Sequence, residues 1–501
     1  MRRILLLSIA ALLLGATGGA AQTPAEICPG YYGPLPLQKR LDQAIAASKY
    51  LRKARFGMQF ASATEGIVLY EKNPATKLIP ASVTKVVTGA ASLEYLGQEY
   101  SFPTDFYGEL SEDGTRVTGP LYVKGSGDPS LVSERLYLIA ETLAARGIKK
   151  VEGGLVIDEG FFDTERFNPD WKVDSDRSYI AATGAVSSNF NAITIVVRPG
   201  QKAGDPARVV LEPQVRFVTI ENNALTGAAG SRHTLSARRV RDTDERTVQV
   251  NGRIATDYTE KRLYLNVASP PLHTGDLLLE FFARMGIEVA GGIGAGTTPE
   301  GATLLERSYS KPLGLIVQDM GKYSNNFVAE QMVKTLGATK QLPPGTWRKG
   351  IEVLSGFLQG LNVPLSDWEL EDGSGLSHGN RLTPRALVRV LAHMFQDPRL
   401  RPEFESSLSL GGADGTVRRR FRGVDNAKRV RAKTGHLSGV SALAGYLYPE
   451  HSRPIAFSVL VNNFEGGFGG IEGEVDGIVE EVLHACAKPP SLEPVQLEKT
   501  D

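Results

Sequence analysis

Strand-like runs sit near both ends of this chain, with a long interval of different texture between them. Residues 55–61 and 65–71 flank Thr64-Glu65-Gly66, a hairpin signal. Three further strand candidates, 427–434, 439–448 and 454–463, lie close to the other end. A helical pattern precedes the first pair (35–52) and another follows the last strand (472–487). The simplest fold that uses all of them is one antiparallel sheet built from both chain ends, with terminal helices packed on it. From about 100 to 270, short strand-like runs alternate with Gly, Asp, Pro and Asn turns, so this stretch reads as a β-rich insertion of one or two modules. The expected fold class is α+β. The main body is expected at 22–98 and 275–490, the insertion at 99–274, and a loose Pro-bearing tail at 491–501.

A chain of 501 residues is too long for one small core. Lys+Arg 56 balances Asp+Glu 56, so the basic excess of a nucleic-acid binder is missing. Arg2 and Arg3 precede an apolar run, Ile4 to Leu14, and Gly19-Ala20-Ala21 suits cleavage after Ala21. Residues 1–21 therefore read as an export signal, and the product is expected to be periplasmic or wall-associated, with at most peripheral membrane contact. Export permits a disulfide between Cys28 and Cys486, but sequence alone leaves that pairing open. Two cysteines cannot by themselves hold a structural zinc, and no His lies three or four residues from another.

The chemistry concentrates in three short patterns. Ser82-Val83-Thr84-Lys85 places Ser and Lys three apart at a helix start, so the Lys85 amine can reach the Ser82 hydroxyl. A hydroxyl becomes a competent nucleophile only when a base takes its proton. A desolvated Lys beside a second cation can be that base, because both effects favour the neutral amine. Ser324-Asn325-Asn326 lies in a helix-like stretch; Ser324 can relay a proton to a leaving amine and Asn326 can hold a substrate amide. Lys433-Thr434-Gly435 falls at the end of a strand candidate. Lys433 offers a point charge to a substrate carboxylate, Thr434 a hydrogen bond, and Gly435 room for a substrate backbone against the strand. Each pattern is weak alone. Ser308-Tyr309-Ser310-Lys311 and Ser187-Ser188-Asn189 repeat two of them, the first ahead of Pro312, which argues against a helix there.

Together and in this order the patterns form the penicillin-binding protein and β-lactamase set. The chain resembles the low-molecular-mass class C penicillin-binding proteins, the D-alanyl-D-alanine carboxypeptidase/endopeptidase family. LYVKGSGDPSL (121–131), VSSNFNAITIVVRPG (186–200), YSNNFVAE (323–330), EDGSGLSHGNRLTP (371–384) and GGADGTV (411–417) carry the resemblance along nearly the whole mature chain. It implies a serine-acyl-transferase fold with a helical cluster bearing the first two motifs. It also implies Ser82 as nucleophile, Lys85 as base, Ser324 and Asn326 as the second motif, and Lys433, Thr434 and Gly435 as the third. The oxyanion hole would use the backbone N–H of Ser82 and of His436. His436 stands where such enzymes usually carry a hydroxyl residue, so it is either a pH-sensitive substitute or a passive rim residue. The implied partners are peptidoglycan stem peptides and cross-links, with β-lactams as acylating inhibitors; no metal or organic cofactor is implied. A β-lactamase would share the motifs but turn penicillin over, and a non-catalytic wall-binding protein would keep the groove without the chemistry. Gly375-Leu376-Ser377-His378-Gly379 fits the G-x-S-x-G elbow, yet it lacks a helix immediately after and reads as a turn bordering the site. Asp128, within Gly-Asp-Pro, reads as structural.

Overall fold

The computed structural model describes residues 23–32, 35–172, 175–240, 246–421 and 427–487. The export signal expected at 1–21 and the tail expected at 491–501 lie outside these residues. Among the described residues no helix is long and apolar enough to cross a membrane.

Both chain ends do build one sheet. Its strands are β1 (Arg55–Ser62), β2 (Val68–Lys72), β3 (Ser409–Leu410), β4 (Val430–Leu437), β5 (Val440–Leu447) and β6 (Ile455–Asn462). They lie side by side in the order β3-β4-β5-β6-β1-β2. β1 and β6 pair antiparallel, with Phe60 opposite Phe457, and the two rings stack at 5.7 Å. Every residue of β5 and β6 is buried, so the sheet is covered on both faces. Alternate side chains part accordingly. Leu443, Phe457 and Val459 face helices α1 (Leu37–Ala47) and α7 (Phe468–Ala485). Ala442, Ala444 and Leu460 face a helical cluster of α2 (Lys85–Leu96), α3 (Leu313–Tyr323), α4 (Asn326–Gln341), α5 (Trp347–Gly360) and α6 (Pro384–Gln396). The small alanines on that face let the cluster approach the strands closely. The start of α6 is as expected: Thr383 caps it, accepting from the Ala386 N–H at 3.2 Å.

Cys28 and Cys486 form a disulfide. Both are fully buried in the layer of α1 and α7, so the covalent link ties the two ends of the chain.

The intervening segment has its own apolar core, which includes Phe106, Val123, Ile157, Ile195, Val250 and Phe282. A five-stranded sheet runs in the order Ile293–Ala295, Leu155–Asp158, Leu121–Gly125, Pro103–Tyr107, Leu304–Tyr309. Its Leu121 and Leu155 strands are parallel, and helix Ser133–Ala145 makes the crossover between them. That helix went unread within the β-rich texture, although Leu136, Ile139, Ala140 and Leu143 keep helical spacing and are buried. Position 274, expected to end the insertion, falls inside helix Pro270–Arg284, whose Leu277, Leu278 and Phe282 pack in this second core. Leu305 belongs to the same core, on a strand paired with Pro103–Tyr107.

Candidate active site

The site lies where the helical cluster meets β4. Ser82 sits in a single 3-10 turn, Ala81–Thr84, that runs into α2. Ala81 before it holds a left-handed φ of 46°. Ser324 too is left-handed, with φ 55°. The helix-like stretch read from sequence is in fact two helices, and Ser324 is the break between α3 and α4. Asn325 starts the second by accepting from the Val328 N–H at 3.2 Å. A left-handed conformation costs an ordinary residue about 1–2 kcal/mol, so packing must hold it there.

Lys85 is buried and its Nζ lies 3.0 Å from Ser82 Oγ, 2.7 Å from Asn326 Oδ1 and 2.6 Å from the Ser374 carbonyl. An ammonium donates all three of these bonds. A neutral amine has two protons and one lone pair. It donates to the two nearer, acceptor-only oxygens and accepts from the one partner that carries a proton, the Ser82 hydroxyl. The geometry thus suits Lys85 as a base toward Ser82. Burial lowers the Lys85 ammonium from the ordinary lysine value to about 7, against the opposing pull of Asp372 and Glu330.

Lys433 is likewise buried; its Nζ donates to Ser324 Oγ and to the Thr434 carbonyl, each at 2.8 Å. Burial, and then the charge of neighbouring Lys85, pull it well below the ordinary lysine value. Neither of its hydrogen-bond partners is a carboxylate, so a substrate carboxylate would supply the missing opposite charge. Lys433-Thr434-Gly435 lies in the middle of β4, since pairing with β5 carries the strand on to Leu437. Gly435 also answers to a neighbour within the protein. A Cβ there would stand 2.5 Å from the Pro80 carbonyl and 3.1 Å from the Ser82 nitrogen. The glycine lets β4 pass against the turn that carries Ser82, and it brings the strand edge beside the Ser82 N–H.

Beneath Lys85 lies a polar wall; its turn was expected to border the site, while its Glu330 and Asp372 were not assigned. Ser374 belongs to the turn 371–380. A Cβ on Gly375, whose φ is 80°, would collide with the Ala81 carbonyl at 1.8 Å. Asp372 holds this turn by accepting from Gly375 N–H (2.6 Å), Ser377 N–H (2.6 Å), Asn380 Nδ2 (2.6 Å) and Trp171 Nε1 (2.9 Å). Glu330 accepts from the Ser374 N–H (2.8 Å) and Trp347 Nε1 (2.7 Å), and burial together with Asp372 pushes its carboxyl up to about 8. Ser377 is buried and donates to Glu371, so the G-x-S-x-G serine is part of this turn and not an exposed nucleophile. The signal for the wall was the density of Gly, Ser and Asp in 371–380, which marks a tight turn without revealing what it packs on.

The insertion reaches the same place. Asn326 Nδ2 donates to the Tyr179 carbonyl at 3.0 Å, and Trp171, the donor to Asp372, also belongs to it. Other expected positions lie elsewhere. Asp128 is buried, paired with Arg135, and accepts from Ser130. Ser308 lies on a strand, Lys311 pairs with Asp319, and no helix joins them. Asn189 is bonded to Ser133. None of these enters the site.

An open groove of about 590 Å³ runs over Ser82, Ser324, Thr434 and His436. The His436 ring lies 2.6 Å from Glu472 Oε1 and edge-on to Phe468, and its hydrogen bond holds the Glu472 carboxyl below the usual range. Its backbone stays in β4, while its side chain is turned to α7 at the groove's rim.

A buried amine against a serine hydroxyl, with a second buried amine across the groove, is an arrangement for acyl transfer. Comparison with known proteins gives the same direction. The family model described as D-Ala-D-Ala carboxypeptidase 3 (S13) matches residues 37–476. A D-alanyl-D-alanine carboxypeptidase of Actinomadura sp. (strain R39) is 34% identical, over 84% of this chain and 80% of that protein. The crystal structure of penicillin binding protein 4 from Haemophilus influenzae superposes with a TM-score of 0.78 at 22% identity, covering 88% of this chain and 99% of that one. A predatory peptidoglycan endopeptidase from Bdellovibrio bacteriovorus has the same fold at a TM-score of 0.51 and 17% identity, covering 87% and 94%.

Proposed function

The chain belongs to the D-Ala-D-Ala carboxypeptidase 3 (S13) family, and on that premise we propose that Ser82 is its acylated nucleophile and Lys85 the base. The enzyme is a serine D-alanyl-D-alanine carboxypeptidase acting on peptidoglycan stem peptides. Lys433 and Thr434 receive the C-terminal carboxylate, and Asn326 holds the acyl side. Ser82 Oγ attacks the carbonyl between the two D-alanines as its proton passes to Lys85. The carbonyl oxygen becomes an oxyanion facing the N–H groups of Ser82 and His436. Two such donors lower a barrier by several kcal/mol. The C–N bond then breaks, the proton reaches the leaving amine through Ser324, and D-alanine departs. Water, deprotonated in turn by Lys85, hydrolyses the ester and restores Ser82.

The observation that carries this reading is the contact of Lys85 Nζ with Ser82 Oγ at 3.0 Å, with Lys433 bonded to Ser324 opposite. The same acyl transfer cleaves D-alanyl–diaminopimelyl cross-links, an endopeptidase activity, and traps β-lactams as slowly hydrolysed esters. The buried disulfide supports an exported, periplasmic or wall-associated location, since such bonds persist in oxidising compartments. The test is labelled penicillin. It should attach stoichiometrically to the protein, should not attach to Ser82→Ala, and should be released far more slowly than it is taken up. Rapid turnover would make the protein a β-lactamase. No attachment, with no D-alanine released from a pentapeptide, would leave it a binding protein.

A further inference from the structure

Charge is unevenly distributed about the nucleophile. On the side read as the acyl side, Asn326 has both amide atoms bonded, to Lys85 and to the Tyr179 carbonyl. On the other side, past Thr434, the lining is Lys322, Gly415, Thr416, Arg418 and Arg419, with no acidic residue among the residues that line the groove. The acids nearby are already engaged. Asp414 takes Lys322 at 2.6 Å, Glu472 takes His436, and Arg420 is bound to Asp476 and Glu472. Arg418 and Arg419 are exposed, and neither has an ion-pair partner among the described residues. A segment Thr-Val-Arg-Arg-Arg thus brings two guanidinium groups, unpaired among the described residues, to a groove that opens on the nucleophile.

Position along the substrate follows from the reading above, on which this inference rests. With the acyl part at Asn326 and the carboxylate beside the scissile bond at Lys433 and Thr434, whatever extends past Thr434 belongs to the leaving group. A leaving D-alanine ends at that carboxylate and goes no further. A leaving group that continues carries its next atoms over Arg418 and Arg419. We infer that Arg418 and Arg419 form a subsite for a second, more distant carboxylate on an extended leaving group, which is the chemistry of an acidic peptide attached through a side chain rather than of a single amino acid. Guanidinium groups suit this role, because their planar donors match a carboxylate in pairs.

Two synthetic substrates with one acyl portion test it. Both end in D-alanyl–D-lysine with the carboxylate beside the scissile bond intact. In one the lysine side chain carries a succinyl group, with a free carboxylate; in the other it carries the neutral succinamoyl group. The expected result is that the parent enzyme hydrolyses the acidic substrate with a kcat/KM roughly three- to tenfold higher, the size of two exposed charge pairs. In Arg418→Gln/Arg419→Gln that ratio falls toward one, and in the parent it shrinks as salt rises. A parent ratio near one, or a ratio that survives the double substitution, overturns the subsite. Labelled penicillin is run on both proteins alongside. Attachment with an unchanged ratio sinks this inference and leaves Ser82 in place, whereas no attachment to the parent sinks the reading beneath it.

Discussion

The body built from the chain ends and the insertion between them divide the work unevenly. Ser82, Lys85, Ser324, Lys433 and Thr434 all stand on the body, on a helix start, a helix break and a mid-sheet strand. The insertion has its own core, yet its hydrogen bonds to the site come from supporting groups, among them the Tyr179 carbonyl, the Trp171 indole N–H and the Asn168 amide, which donates to the Glu371 carbonyl. The first two go to groups that touch or surround Lys85. The side chains proposed to react stand on the sheet and the helical cluster, and the inserted fold bonds to their polar partners.

The widest separation of the two regions should come from Lys85→Met, which we expect to slow penicillin acylation by about a thousandfold or more, within the range for losing a positioned base. A loss below tenfold in stopped-flow acylation would move the base elsewhere. Next in size is the pH profile. With Lys85 as the proposed base, the neutral amine is the active form, and burial lowers its ammonium to about 7. Acylation should therefore rise roughly tenfold per pH unit up to about pH 6 and level off above 7, a gain of about fiftyfold between pH 5 and 7. A flat profile across that interval would show that Lys85 does not limit the rate. Third, Gly435→Ala forces a methyl against the Pro80 carbonyl. An overpacking strain of roughly 1–3 kcal/mol should cut acylation about tenfold and lower the melting temperature.

The insertion should answer more quietly. Trp171→Phe leaves Asp372 one donor short, a cost of about 1–3 kcal/mol if nothing replaces it. We expect acylation a few-fold slower and a pH midpoint displaced from that of the parent; an unchanged profile would confine Trp171 to packing. Smallest of all, Ile195→Val trims the insertion's core by roughly 0.5–1.5 kcal/mol in denaturant unfolding. Acylation should not change, and a parallel loss of rate would mean that the two regions unfold and act as one.

Much of the body was legible. Apolar runs at both chain ends located the sheet to within a few residues, because strands buried on both faces are almost continuously apolar. Ser82 and Lys85 were legible because helical spacing alone brings them within reach. Other features depend on neighbours that no local pattern names. The Lys433 motif was placed at a strand end, since strand length is set by the partner strand. The break at Ser324 was hidden because Leu313–Tyr323 and Asn326–Gln341 keep helical apolar spacing on either side of it. That Gly435 is also needed for the close approach of the Pro80 turn was hidden, because that turn is remote in the chain. The turn that carries Asp372 and Ser374 was legible as a turn, but the burial of Glu330 and Asp372 was not, as buried acids look like surface acids until their donors are located.

The bond between Cys28 and Cys486 makes the polypeptide between them a closed loop. A single proteolytic cut anywhere inside that loop, including the exposed turns of the insertion, liberates no piece of the enzyme. The stretch bearing Ser82 and the stretch bearing Lys433 remain one molecule, tethered through the sulfurs as well as through β1 and β6. On a gel, such a nicked enzyme would run as a single species until a reducing agent is added.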